Sequence, residues 1–68
     1  MREIQYFQDG RSKTGLIFDQ DVKEENGLYC VEIILDQKSP VKRKIFGASA
    51  SEAVANAGIV FAKFDVRQ

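Results

Sequence analysis

Ser49-Ala50-Ser51-Glu52-Ala53-Val54-Ala55-Asn56-Ala57-Gly58-Ile59-Val60-Phe61-Ala62-Lys63-Phe64 decides how this chain is read. The Ser49 hydroxyl can accept from the amide three residues on, and the Glu52 carboxylate can reach back to the Ser49 amide, which is a capping box at a helix start. At about 100° per residue, Ala50, Ala53, Val54, Ala57, Val60, Phe61 and Phe64 share one side. That side is the predicted core face of a helix over residues 50 to 63. The reverse side carries Glu52 and Lys63 with Ala55, Ile59 and Ala62, a small-residue apolar patch around one isoleucine. Gly58 costs up to about 1 kcal/mol relative to alanine inside a helix, which implies close approach by a neighbouring element.

Working back from this helix, the earlier apolar stretches read as strands. Leu28 to Leu35 is the strongest. Tyr29, Val31, Ile33 and Leu35 share one face by the two-residue period, and Leu28, Cys30, Glu32 and Ile34 share the other. Two apolar faces place this strand at the centre of a sheet, with its second face partly covered. Ile4 to Phe7 and Leu16 to Phe18 flank Asp9-Gly10, a pair suited to the positive φ angles of a hairpin turn. A strict two-residue loop would set Ile4 and Tyr6 beside Lys13 and Gly15, whereas a longer loop aligns them with Leu16 and Phe18. Matching of apolar residues favours the longer loop. Asp19 to Gly27 reads as a polar loop with a second turn signal at Asn26-Gly27, and Asp36 to Pro40 as another loop. Val41 to Phe46 reads as a strand ended by Gly47, and Phe64 to Val66 as a final edge strand. The expected fold is α+β: an antiparallel sheet of three or four strands with one C-terminal helix packed on one face, in a single domain of residues 1–68.

At 68 residues, such a domain buries only about 60% of its unfolded surface, so a second copy or a partner is an expected source of support. Hydrophobic residues at 44% and charged residues at 29% are the balance of a folded domain. Ten basic and ten acidic residues cancel, but they are segregated. Asp19, Asp21, Glu24 and Glu25 lie within one seven-residue stretch, and from Gln37 to Ser51 the charges are Lys38, Lys42, Arg43 and Lys44. The N-terminal residues carry no signal-like apolar run, and no stretch approaches the roughly 20 residues that cross a bilayer. A cytoplasmic protein without membrane contact is expected.

The chain has no histidine and a single cysteine. Histidine-dependent triads are therefore excluded, as are an internal disulfide and a structural zinc site. Cys30 stands mid-strand among apolar neighbours and reads as a packed thiol, not a nucleophile. The acidic stretch fails EF-hand spacing, because Lys23 stands where an oxygen ligand is needed and Glu24 where a glycine is. No metal and no cofactor is expected, and the chain reads as non-enzymatic. Lys38, Lys42, Arg43 and Lys44 could neutralise phosphates. However, alternation sends Lys42 and Lys44 to one face and Arg43 to the other, and lysines also blunt sheet edges against aggregation.

Gly47-Ala48-Ser49-Ala50-Ser51-Glu52-Ala53-Val54-Ala55-Asn56-Ala57, entered after three strands, resembles the helix entry of the N-terminal domain of HicB-type antitoxins. Those domains pass from a glycine through a small hydroxyl residue to Glu-Ala and Asn-Ala, as Glu52-Ala53 and Asn56-Ala57 do here. The family's proline- and glycine-containing turn after its second strand has no counterpart. The resemblance implies a partner-binding fold and gives no warrant for operator binding. The element order also resembles the double-stranded-RNA-binding domain, but that family meets phosphates through lysines at its helix start. Ser51, Glu52, Ala53 and Val54 stand there instead.

The function these features imply is protein binding by a small bacterial or phage-type module, antitoxin-like or inhibitor-like, with a homodimer as the nearest form. Two apolar groups carry the expectation: Leu28, Cys30 and Ile34 on the second sheet face, and Ala55, Ile59 and Ala62 on the outer helix face. Nucleic-acid binding through Lys38, Lys42, Arg43 and Lys44 is the alternative. A third class is an enzyme subunit that lends acids, Tyr6 or Tyr29 to a shared site.

Overall fold

Asp9 and Gly10 both adopt left-handed backbone, with φ of 55° and 73°, and so do Asn26 and Gly27, with φ of 53° and 82°. Two consecutive positive φ angles make a turn whose twist matches that of antiparallel strands. Each pair therefore closes a two-residue hairpin. In the computed structural model, which describes residues 1–65, the first turn joins β1 (Arg2–Gln8) to β2 (Arg11–Ile17). The second joins β3 (Lys23–Glu25) to β4 (Leu28–Asp36), and β5 (Ser39–Gly47) and α1 (Ala50–Phe64) follow.

β4 is the central strand. Its Ile33 and Ile34 pair with Ile17 and Leu16 of β2 and also with Arg43 and Lys42 of β5. Its Cys30 pairs with Lys23 of β3 and with Phe46 of β5. A strand has two edges, so β2 and β3 must lie end to end along one edge of β4 while β5 occupies the other. The five antiparallel strands thus form four rows, β1 outermost, then β2 with β3, then β4, then β5. Phe18 extends the second row by donating its amide to the Glu32 carbonyl at 3.0 Å. With α1 on one face, the fold is the expected α+β.

The core lies between that face and the helix. Tyr6, Ile17, Val31 and Ile33 of the sheet meet Ala53, Ala57 and Phe61 of α1, and burying each of the larger apolar side chains contributes about 1.5–3 kcal/mol. The Tyr6 and Phe61 rings meet edge-on, centroids 5.5 Å apart, while the Tyr6 hydroxyl donates to the Leu35 carbonyl at 2.6 Å. Ser49 caps α1 by accepting from the Glu52 amide at 3.1 Å. Gly47 lets the helix entry sit against the sheet, since a Cβ there would lie 2.9 Å from Ala53 Cα.

Several local expectations are corrected. The first hairpin uses the strict register, with Ile4 opposite Gly15, Tyr6 opposite Lys13 and Gln8 opposite Arg11. The missing side chain at Gly15 is the reason: the Phe61 ring fills the place a Cβ would take, so the bare position is a docking point and not a wasted core site. The expected loop over Asp19 to Gly27 contains β3, which the Asn26-Gly27 turn folds back on β4. Ser39 and Pro40 belong to β5, where an outer strand tolerates proline. Phe64 ends the helix instead of starting a strand, and Asp65 caps it by donating its amide to the Phe61 and Ala62 carbonyls. Val66 lies outside the described residues. Ala50 and Phe64 are exposed, so the buried helix stripe is narrower than the spacing implied. Among the described residues nothing outside its own helix comes within 4 Å of where a Cβ on Gly58 would stand, so the close approach expected there is not found.

Candidate functional site

The sheet face turned away from α1 carries the even-numbered residues of β4 and β5, with Leu16 of β2 beside them. Among the described residues no second layer lies on it, yet Cys30 is only 3% exposed and Ile34 only 7%. Their cover comes from side chains of the same sheet. Lys42, opposite Ile34, reaches across β4 and places its ammonium 5.2 Å from the centroid of the Phe18 ring. Lys44, opposite Glu32, crosses β4 to meet the Glu25 carboxylate at 3.0 Å. Lysine stems laid over an apolar floor exclude water from it while their charged ends stay solvated. The hydrogen bond and charge of Glu25 hold the Lys44 ammonium above the usual lysine value. In solvent such a pair adds little to stability, so its effect here is steric cover.

At one corner of this face the cover stops. Leu28 is 45% exposed and Phe46 is 43% exposed. Phe46 opposes Cys30, so Leu28, two residues along β4, is its diagonal neighbour on the same face. The sheet-face residues singled out from the sequence thus separate: Cys30 and Ile34 lie beneath the lysines, and Leu28 is open. Phe46, which sequence reasoning passed over as a strand end, joins Leu28. Its signal was its parity with Lys42 and Lys44.

Ala55, Ile59 and Ala62 stay together on the outer side of α1, with Ile59 50% exposed. Helix and core stand between them and the sheet's open face. The two apolar groups therefore look in opposite directions and cannot form one surface. Register also divides the cations, placing Lys42 and Lys44 on the open face and Arg43 opposite Ile33 on the helix side. Lys38 lies in the β4–β5 turn, where its amide donates to Asp36 Oδ1 at 3.0 Å.

The acidic stretch meets cations of the chain itself: Asp19 lies 3.7 Å from Arg2 and 3.9 Å from the N-terminal amine, and Glu25 pairs with Lys44. Among the described residues no group of three metal-ligating side chains comes together. A groove of about 430 Å³ lies between β2 and the β4–β5 turn, bordered by Arg11, Lys13, Asp36 and Lys38, and the Gln37 amide bridges it by donating to the Thr14 carbonyl at 3.0 Å. Its Lys13 ammonium is already held by Gln8 Oε1 at 2.9 Å. Among the described residues no helix is long and apolar enough to cross a membrane. Comparison with protein-family models, curated proteins and solved structures finds no match for this chain.

Proposed function

We propose that this domain is a non-enzymatic protein-binding module that self-associates through the open corner at Leu28 and Phe46. One exposed apolar residue is ordinary on a small protein. Here two large ones are diagonal neighbours, continuous with buried Cys30 and rimmed by Lys23, Glu25 and Lys44, which is the apolar centre and polar rim of an interface. In a two-fold pair, Leu28 of each copy would meet Phe46 of the other. What supports this reading over nucleic-acid binding is that Lys42 is turned onto Phe18 and Lys44 onto Glu25. The outer helix patch around Ile59 is then available to a different protein in the cytosol, in keeping with an antitoxin-like or inhibitor-like role.

Sedimentation at high micromolar concentration tests the proposal. The wild type is expected to be dimeric, and Leu28→Lys and Phe46→Lys monomeric with unchanged melting. A dimer lost only in Ile59→Lys would move the interface to the helix. A strictly monomeric wild type, with partner capture indifferent to all three substitutions, would sink the reading.

A further inference from the structure

The Glu32 carbonyl accepts from the Phe18 amide, so the Glu32 main chain is turned toward the β2–β3 row. In an antiparallel pair, opposed residues either bond each other or both turn away. Glu32 opposes Lys44, hence the Lys44 amide and carbonyl face the outer edge of β5, and Lys42 and Phe46 share that orientation. The Phe46 carbonyl agrees, since it accepts from Asn56 Nδ2 of α1 at 3.0 Å. Beyond Lys42 the ladder shifts register before Ser39 meets Asp36, and Pro40, inside that shift, has no N–H to offer. This edge is therefore stopped at one end by proline and at the other by Asn56, and between them the main chains of Lys42 and Lys44 stand open. Every residue from Ser39 to Lys44 is exposed.

We propose that the outer edge of β5 accepts an extended acidic segment of another protein as an added strand, hydrogen-bonded to the main chains of Lys42 and Lys44. Charge selects this occupant. No acid occurs from Gln37 to Ser51, and although the Lys42 and Lys44 ammonium groups are turned over the open face onto Phe18 and Glu25, Arg43 is not. A second β5 laid antiparallel about Arg43 would set cation against cation, which is destabilising. A strand alternating glutamate with apolar residues instead meets attraction, and on the helix side it reaches Arg43, which among the described residues makes no ion pair. Val41, 65% exposed on that same strand, supplies apolar contact. The cations that stop self-pairing thus select an acidic strand.

The probe is a fluorescent peptide of about ten residues that alternates glutamate and valine, with a lysine-for-glutamate peptide as control. Anisotropy is expected to show binding of the acidic peptide alone, and hydrogen exchange to show protection of the Lys42 and Lys44 amides. Arg43→Glu should weaken binding by roughly tenfold or more. Lys42→Pro, which removes an outward N–H and leaves the β4 ladder whole, should abolish binding relative to Lys42→Ala, which loses the same side chain over Ile34 and Phe18 but keeps the N–H. Leu28→Lys should leave peptide binding unchanged, so failure of the dimer and failure of the edge are read separately. Absence of acidic-peptide binding at millimolar concentration overturns the proposal, as does undiminished binding by folded Lys42→Pro. Tighter binding of a single-stranded RNA oligonucleotide, lost in Arg43→Glu, would overturn it too by assigning the edge cations to phosphate.

Discussion

Gly15 and Gly58 sit inside regular elements for different reasons, and substitution separates them. At Gly15 an added Cβ would overlap the Phe61 ring, which is itself locked edge-on to Tyr6. Gly15→Ala should therefore cost about 1–3 kcal/mol, as overpacking does. Gly58 has open space around it and no left-handed φ, so Gly58→Ala should stabilise the domain by about 0.5–1 kcal/mol. Urea melts of the two variants check both signs. Tyr6 makes a pH-dependent contribution. Burial first, and the charge of Asp36 second, raise its pKa above the ordinary 10.0, so folding favours the neutral phenol. That stabilisation is whole below pH 10.0 and lost as pH climbs through the folded value. The urea midpoint of the wild type should thus fall more steeply at alkaline pH than that of Tyr6→Phe, which gives up about 1 kcal/mol at neutral pH with its hydrogen bond to Leu35.

Elements with their own end signals were legible before any tertiary contact was considered. Ser49 accepts from Glu52 as the capping motif implied, and Ser49→Ala should cost about 0.5–2 kcal/mol in urea melts. Ser51→Ala should cost less, because among the described residues Ser51 Oγ meets only the Ser49 hydroxyl, at 3.2 Å; the reverse order would move the cap. The central strand and both turn signals were readable for the same reason, that period and turn chemistry are local. β3 was not. Lys23-Glu24-Glu25 has no strand propensity of its own and becomes a strand because the Asn26-Gly27 turn delivers it to the free half of β4's edge. The first hairpin register failed differently, through pairing large with large when the turn geometry and Phe61 required small.

Across the whole molecule, the open face is where long-range contacts change the meaning of the sequence. Lys42 and Lys44 looked like solvated or edge-guarding charges. In the fold they also roof Ile34 and Cys30, while their main chains form the outer edge. If Lys44 covers Cys30, Lys44→Ala should speed thiol labelling by a bulky maleimide severalfold while the melt stays close to wild type. An unchanged labelling rate would show that Phe46 and Lys23 suffice as cover. The sequence by itself determined the helix, its cap, the positions of both turns, the central strand and the α+β class, because each depends on residues within a few positions of one another. Only the tertiary structure decided that β2 and β3 share one edge of β4, that Phe61 occupies the gap at Gly15, and that lysines and not a second layer close over Cys30. Those outcomes join residues far apart in the chain, and their physical cause is competition for the same space and the same strand edge, which no local pattern records.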